Sequence, residues 1–297
     1  MLSGTARTIA TDAGVLRYRE VGHGPPLVLL HGSGPGVTGW GDFRGNLPAF
    51  AEFFRCLIPE LPVLGVGDHD GDDTTPAAHD VLARFIDVLK LECVDIIGNS
   101  TGGGVALDYV IRHPDKVHRL VTVGGIAKNM FTVGPGAELL REFSRDPSRE
   151  KLVEWLHSMV HNPASVADEL IEECWAQVTR NRCAGGGLAQ LVNGAAGSAG
   201  YPGWEALQRV QAPTLLTWGR DDVLSPVGMA LVPMRSIPNA QLHVFPNCGH
   251  WAMIDQKEAF ENVVLSFLLR SDPPGYQPGR IGAAPGSSSS ALMLNPN

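Results

Sequence analysis

The sequence predicts an α/β protein: a mostly parallel sheet of eight strands flanked by helices, with a helical insertion after the sixth strand. Three observations carry this reading. Short apolar segments alternate with amphipathic helical ones over residues 1–127, only helical patterns occur over 128–205, and the alternation resumes to about residue 270.

Strands are expected at Thr5–Thr11, Gly14–Val21, Pro26–Leu30, Arg55–Glu60 and Val94–Gly98. Leu27-Val28-Leu29-Leu30 is apolar without alternation, which suits a strand covered on both faces. Asp80–Leu91 aligns Val81, Leu82, Phe85, Ile86, Val88 and Leu89 along a helical stripe. Gly104–His113 reads as a helix stopped by Pro114, and Val117–Gly124 as the next strand. This β-α-β order implies right-handed crossovers between parallel strands.

From about Lys128 the strand signal stops. Asp146-Pro147 and Asn162-Pro163 each read as an N-cap followed by proline at the first helical position. Leu152, Val153, Leu156, Met159 and Val160 form one apolar face, and Leu170, Ile171, Cys174 and Trp175 another. Gly185–Gly187 and Gly194–Gly200 mark loose joints. Strands at Pro213–Trp218 and Gln241–Phe245 and a helix at Glu258–Leu269 complete the pattern. The expected organisation is a core of residues 1–127 and 206–270, a helical cap of residues 128–205, and a disordered tail of residues 271–297. That tail holds five Pro, four Gly and five Ser in 27 residues and cannot bury enough surface to offset its ordering entropy.

Composition narrows the function. With 44% hydrophobic residues in 297 the chain can build a large core, and 31 acidic against 23 basic residues give a net charge of −8. Nucleic acid and anionic membrane surfaces are therefore poor partners. No apolar run approaches the roughly 20 residues of a spanning helix. Met1–Arg7 lacks the charged and then apolar regions of a secretion signal. Five cysteines show neither metal spacing nor a disulfide framework. The expectation is a cytoplasmic enzyme with a small-molecule substrate, no nucleic-acid or membrane partner, no cofactor, and a homodimer as a candidate assembly.

The chemistry centres on Gly98-Asn99-Ser100-Thr101-Gly102, where a strand ends and a helix begins. This G-x-S-x-G puts the Ser100 hydroxyl on a sharp turn whose strained backbone needs small neighbours two residues to either side. A nucleophilic serine needs a base, and the base an orienting acid. Strand Pro213–Trp218 runs into Gly219-Arg220-Asp221-Asp222, and strand Gln241–Phe245 into Asn247-Cys248-Gly249-His250-Trp251. The order Ser, Asp, His, each just after a strand, is that of the α/β-hydrolase fold. Asp222 is chosen over Asp221 because it lies further into the loop, although the residue types leave both open. Each residue alone has a blander reading: a helix-capping serine, a solvated turn, a core or surface histidine.

Carbonyl chemistry also needs two N–H donors aimed at the developing oxyanion. The backbone N–H of Thr101 supplies one, and the loop His31-Gly32-Ser33-Gly34-Pro35-Gly36 the other, assigned to Ser33. Within that loop, Gly34-Pro35-Gly36-Val37-Thr38-Gly39 with Glu60 outlines a dinucleotide fingerprint. The glycines start too far past the strand, and Gly41, Gly45 and Pro48 break the helix that should follow, so this reading is set aside. His157 and His161, spaced i,i+4, lack a third metal ligand and read as helix decoration. Asp68–Asp73 resembles a calcium loop with its Gly misplaced and reads as a solvated loop.

The stretch from His31 to Trp40, with Phe43 and Asn46 behind it, resembles the signature of the meta-cleavage-product hydrolases. These are carbon–carbon bond hydrolases of the α/β-hydrolase superfamily that act on 2-hydroxy-6-oxo-dienoates in aromatic degradation. Gly98–Gly103 and Cys248–Trp251 are similar to that family's elbow and histidine loop. The resemblance implies ketonisation of a dienol, activation of water with His250 as base, and cleavage of the carbon–carbon bond. It implies Gly32, Asn46, Asn99 and Trp251 around the substrate. Two departures stand out. Thr101 occupies the place where methionine is usual, and the family's carboxylate-binding arginine aligns with Cys174, with Arg180 or Arg182 as substitutes. The second departure favours a neutral ester, lactone or diketone, so a carboxylesterase or lactonase of the same fold stands beside the dienoate hydrolase. A non-catalytic ligand-binding protein of this fold is the third reading.

Overall fold

The computed structural model describes residues 4–11, 14–61, 78–125, 135–183 and 203–271. Eight strands form one sheet: β1 (Thr5–Thr11), β2 (Gly14–Val21), β3 (Pro26–Leu30), β4 (Arg55–Pro59), β5 (Val94–Asn99), β6 (Val117–Val123), β7 (Thr214–Gly219) and β8 (Ala240–Phe245). Their order across the sheet is β1-β2-β4-β3-β5-β6-β7-β8. β1 and β2 form an antiparallel hairpin joined antiparallel to β4, and all later pairings are parallel. Every expected strand is present, with ends shifted by a residue at several places.

Ten α-helices are assigned among the described residues. On the chain before β7 they are α1 (Gly39–Phe43), α2 (Leu47–Phe50), α3 (Ala78–Val88), α4 (Thr101–Arg112), α5 (Pro135–Arg145), α6 (Arg149–Ser158) and α7 (Asp168–Cys183). After β7 come α8 (Leu231–Ser236), α9 (Ala252–Asp255) and α10 (Lys257–Leu268). α4 starts at Thr101, three residues before its expected start, because Gly102 and Gly103 belong to its first turn. α5 carries no sequence expectation: it is polar, burying only Gly136 and Phe143.

Both expected proline caps need correction. α6 is capped by Ser148, whose Oγ accepts the Lys151 N–H, and Asp146 instead follows the end of α5, its N–H donating to Glu142. Asn162 caps only the short 3-10 turn Pro163–Ser165, and α7 begins later, at Asp168. The glycine joints after residue 184, the Asp68–Asp73 loop and the tail beyond residue 271 lie outside the described residues.

β5, β6 and β7 are buried along their whole length, and side chains alternate between two cores. Leu27, Leu29, Ile97, Val121 and Val123 face one core; Val28, Leu30, Ile96, Leu120 and Leu216 face the other. The apolar faces of the inserted helices, including Leu152, Leu156, Leu170 and Ile171, pack into the first core. The insertion therefore sits on the layer that also contains α10. Among the described residues no helix is long and apolar enough to cross a membrane.

The crossing of β5 and α4 is the tightest point. A Cβ on Gly98 would lie 2.5 Å from the Gly102 carbonyl oxygen, and one on Gly102 would lie 2.5 Å from the Leu30 and His31 oxygens. Backbone cannot yield there as a side chain would. Gly98→Ala is expected to destabilise the protein by at least about 2 kcal/mol in urea denaturation, an overpacking cost without a relaxing neighbour.

Candidate active site

Ser100 sits between the last residue of β5 and the first of α4, at φ 51°, ψ −116°, a conformation that side chains rarely adopt. Its N–H donates to Val123 O at 2.7 Å, and its carbonyl accepts the Gly103 N–H at 2.9 Å. The turn is thus tied to β6 on one side and to α4 on the other. The sequence pointed to Gly98 and Gly102 as the small neighbours; the structure adds Gly103 and Gly125. A Cβ on Gly103 would strike the Gly125 carbonyl, and one on Gly125 would lie 2.9 Å from Ser100 Cα. The Thr101 amide, first in α4, has no intrahelical acceptor and belongs to the positive end of the helix.

Asp222 and His250 come from the loops after β7 and β8. Asp222 Oδ2 lies 2.7 Å from His250 Nδ1, with both side chains almost wholly buried. Asp222 Oδ1 accepts the Leu224 and Ser225 N–H groups, each at 2.8 Å. A carboxylate so engaged fixes both its own orientation and the ring's tautomer: Nδ1 carries the proton and Nε2 is left as the acceptor. Nε2 is buried and has no hydrogen-bond partner. The link to the serine runs through Gly124-Gly125. A Cβ on Gly124 would lie 2.8 Å from His250 Nδ1, while its neighbour abuts Ser100. Ser100 Oγ and Nε2 are not hydrogen-bonded in this arrangement.

The two aspartates left open by the sequence separate cleanly. Asp221 is partly exposed, bound by Arg220 and 3.2 Å from His161 Nδ1. The Arg220 guanidinium holds its carboxyl below the ordinary value. It faces outward while Asp222 faces the imidazole. The histidine pair is also corrected: α6 ends at Ser158, so His161 lies beyond the helix that carries His157 and pairs with Asp221 instead.

The loop after β3 is held from below. His31 Nδ1 lies 2.8 Å from the Gly32 carbonyl and Nε2 accepts the Leu61 N–H at 3.0 Å. Asp42 Oδ2 accepts both the Gly32 N–H at 3.0 Å and the Asn99 side-chain amide at 2.8 Å. Asp42 therefore bridges this loop to the residue preceding Ser100, a role no sequence signal revealed. Burial pushes its carboxyl above the ordinary value, against the hydrogen bonds from Asn99 and Gly32. Glu60, which completed the dinucleotide outline, accepts the Gly39 N–H at 3.0 Å, and α1 spans only five residues. The glycine loop is closed by its own protein contacts.

The remaining expected residues fall in different places. Gly32 adjoins the serine, since a Cβ there would lie 3.3 Å from Ser100 Cβ. Ser33, next along, is half-buried. Asn99 and Asn46 are fully buried, each with its Oδ1 unpartnered. The Asn46 amide nitrogen is committed to Met253 O and Glu261 Oε1, so it fastens α2 to α9 and α10 and is not a free donor. Trp251 is buried, edge-on to Trp155 of the insertion with ring centroids 5.9 Å apart. Cys174 is buried, its thiol pushed up to about 12 by burial. Arg180 is exposed and bonds its own helix at Ala176 O; the side chain of Arg182 lies outside the described residues.

A strained serine after β5 and a buried Asp–His pair after β7 and β8 define an α/β-type hydrolase architecture. The chain matches the alpha/beta hydrolase family over residues 27–263 and belongs to it. It is 32% identical over 267 residues to a 2-hydroxy-6-oxononadienedioate/2-hydroxy-6-oxononatrienedioate hydrolase of Comamonas testosteroni, covering 85% of this chain and 91% of the relative. A 2-hydroxy-6-oxo-6-phenylhexa-2,4-dienoate hydrolase of Burkholderia cepacia is 31% identical, again covering 85% of this chain and 91% of the relative. Among solved structures, the meta-cleavage product hydrolase of Pseudomonas fluorescens IP01 superposes with a TM-score of 0.77 at 28% identity, over 88% of this chain and 97% of that one.

Asp42 has a measurable consequence. A carboxyl held above its ordinary value favours the protonated fold, a contribution complete below 3.8 and lost as pH rises through the raised value. Asp42→Asn keeps an acceptor oxygen for Gly32 and Asn99 without the ionisation. The variant is expected to melt higher than wild type at neutral and alkaline pH, with the difference vanishing in acid; thermal melts across pH measure it.

Proposed function

We propose that this chain is a serine hydrolase of carbonyl substrates whose reaction is carbon–carbon bond hydrolysis of a meta-cleavage product of the 2-hydroxy-6-oxo-dienoate type. Ser100 is assigned as nucleophile, His250 as base and Asp222 as the acid that orients it. One observation carries this: the buried Asp222–His250 contact of 2.7 Å, with Nε2 left as a buried acceptor and the Gly124-Gly125 pair joining the ring to Ser100. In the proposed sequence the dienol is first ketonised. A hydroxyl, from Ser100 or from water, then loses its proton to His250 Nε2 as it attacks the ketone. The bond to the adjacent carbon breaks and the imidazolium returns the proton to the oxygen of the leaving dienolate, giving the 2-hydroxy-dienoate. Where water attacked, the other product is the free carboxylic acid. Where Ser100 attacked it is an acyl ester, which a water deprotonated by His250 then hydrolyses to the acid as the proton returns to Ser100 Oγ. The oxyanion is assigned to the amides of Thr101 and Ser33, since the Gly32 N–H is already spent on Asp42.

Residues 128–205 are assigned as a cap over this centre. The described part, α5 to α7, is in reach of both reactive loops: a Cβ on Gly36 would lie 2.6 Å from Cys174 Cα, and the Trp251 N–H donates to Met159 O at 3.0 Å. The working compartment is assigned as the cytoplasm, consistent with the absence of a membrane-crossing helix among the described residues.

A second reading, hydrolysis of a neutral ester or lactone, is favoured by the charges around Cys174. The thiol there is neutral, Arg180 points to solvent, and Arg44 Nη1 is held by both oxygens of Glu173 at 2.6 Å. A substrate carboxylate finds no free guanidinium among these groups.

Ser100→Ala and His250→Ala are each expected to lower kcat by about four to six orders of magnitude with the circular dichroism spectrum unchanged, as removal of a triad serine or histidine does. Near-wild-type turnover in either would overturn the assignment. A panel of coloured dienoates and nitrophenyl esters separates the two readings: turnover of esters alone selects the second.

A further inference from the structure

We propose that Asp255 is a positioning residue for His250, setting the backbone of the histidine loop while binding the inserted segment 159–165 to it. The inference rests on the assignment of His250 as base. Asp255 ends α9, five residues past the histidine, and its carboxylate accepts four hydrogen bonds, one from the nearby histidine loop and three from the distant segment 161–165. Oδ2 takes the Gly249 N–H at 2.9 Å and the His161 N–H at 2.5 Å. Oδ1 takes the Asn162 N–H and the Ser165 hydroxyl, each at 3.3 Å. Gly249 immediately precedes His250, so the same oxygen holds the histidine loop and the loop leaving α6.

The other flank of His250 is bound to the same segment. The Trp251 N–H donates to Met159 O at 3.0 Å. Gly249 lies so close to that chain that a Cβ would meet Met159 O at 2.7 Å and Val160 Cα at 2.8 Å. Asp222 fixes the imidazole's rotation through Nδ1, but it does not fix where the main chain delivers the ring. That placement comes from the residues on either side, and both are laced to 159–165. Charge-assisted bonds to a carboxylate are the strong members of such a lattice. Loss of the carboxylate frees the Gly249 amide and releases the ring by a fraction of an ångström, where displacements near 1 Å cost about a hundredfold in rate. The insertion thereby acts as part of the scaffold that aims the base at Ser100.

The experiment uses the full chain with Asp255→Ala and Asp255→Asn, at a temperature where the circular dichroism spectrum matches wild type. The rate of Ser100 labelling by a fluorophosphonate is measured beside kcat and KM for the best substrate. The probe needs His250 but is too small to depend on substrate contacts with the insertion. The expected result for Asp255→Ala is a loss of about tenfold to a hundredfold in both labelling rate and kcat, with KM changed far less. Asp255→Asn, which keeps one acceptor oxygen, falls between it and wild type. A lowered melting temperature with labelling at the wild-type rate in either folded variant overturns the proposal and leaves Asp255 as mere fastening. If Asp255→Ala does not fold, Asp255→Asn decides alone. Ser100→Ala and His250→Ala run as parallel arms: if they retain turnover, the assignment of the base has failed; if they lose it while both Asp255 variants react normally, only this inference has.

Discussion

The backbone at Ser100 is the constraint on which the rest of the site depends. Holding a serine at φ 51°, ψ −116° is unfavourable by itself, and it persists because the surroundings over-determine it. The Ser100 amide is bound to β6, its carbonyl to α4, and glycines at 98, 102, 103 and 125 let four backbone segments meet where side chains would keep them apart. The parallel pairing of β3, β5 and β6 brings those segments together, so sheet register and reactive geometry are one requirement. The same close approach brings Gly124 against the imidazole, and an eight-stranded sheet is thereby tied to the placement of one hydroxyl.

Three aspartates around this point solve three different electrostatic problems. Asp222 is buried with two backbone amides on one oxygen and an imidazole on the other, so each oxygen has a partner. Asp42 is equally buried, yet two donors on one oxygen do not offset its burial, and its carboxyl is pushed toward the protonated form. Asp255 is only partly buried and uses both oxygens to bind two chain segments. In the proposed reaction the first faces the imidazole that takes up the proton. The other two accept hydrogen bonds from fixed directions.

What was legible in the sequence follows from how local each requirement is. The eight strands could be read because β3 and β5 to β7 are covered on both faces and demand continuous apolar runs. Ser100 could be read because its strain forces glycines at fixed offsets. Asp222 needed a guess, since its distinction from Asp221 is a matter of direction: one side chain turns inward to His250, the other outward to Arg220. Asp42 and Asp255 were invisible because the groups they bridge to, Asn99 and the 161–165 segment, lie far off in sequence; each looks like an ordinary acidic residue in a short helix. α5 was missed because few of its residues are buried. Asp146-Pro147 misled because the true cap, Ser148, lies one residue past the proline.

The same logic bears on substrate choice, which depends on the part of the chain with the weakest local signal. α7 packs onto the loop after β3 at Gly36, where φ is 72° and where there is no room for a Cβ beside Cys174. The main chain at position 174 is thereby held against the reactive loop, and its side chain sets the polarity of that corner. A thiol pushed up to about 12 contributes no charge at neutral pH. Arg44, on the same side of the fold, is matched by Glu173 and lies 3.7 Å from Glu169. Asp42 nearby contributes either a neutral carboxyl or a negative charge, never a positive one. A carboxylate moved from water toward these groups gains no free cation from them, whereas a ketone or ester carbonyl loses far less hydration. The scaffold can therefore retain the whole Ser–His–Asp arrangement while the polarity of this corner is set separately, by the side chain at position 174.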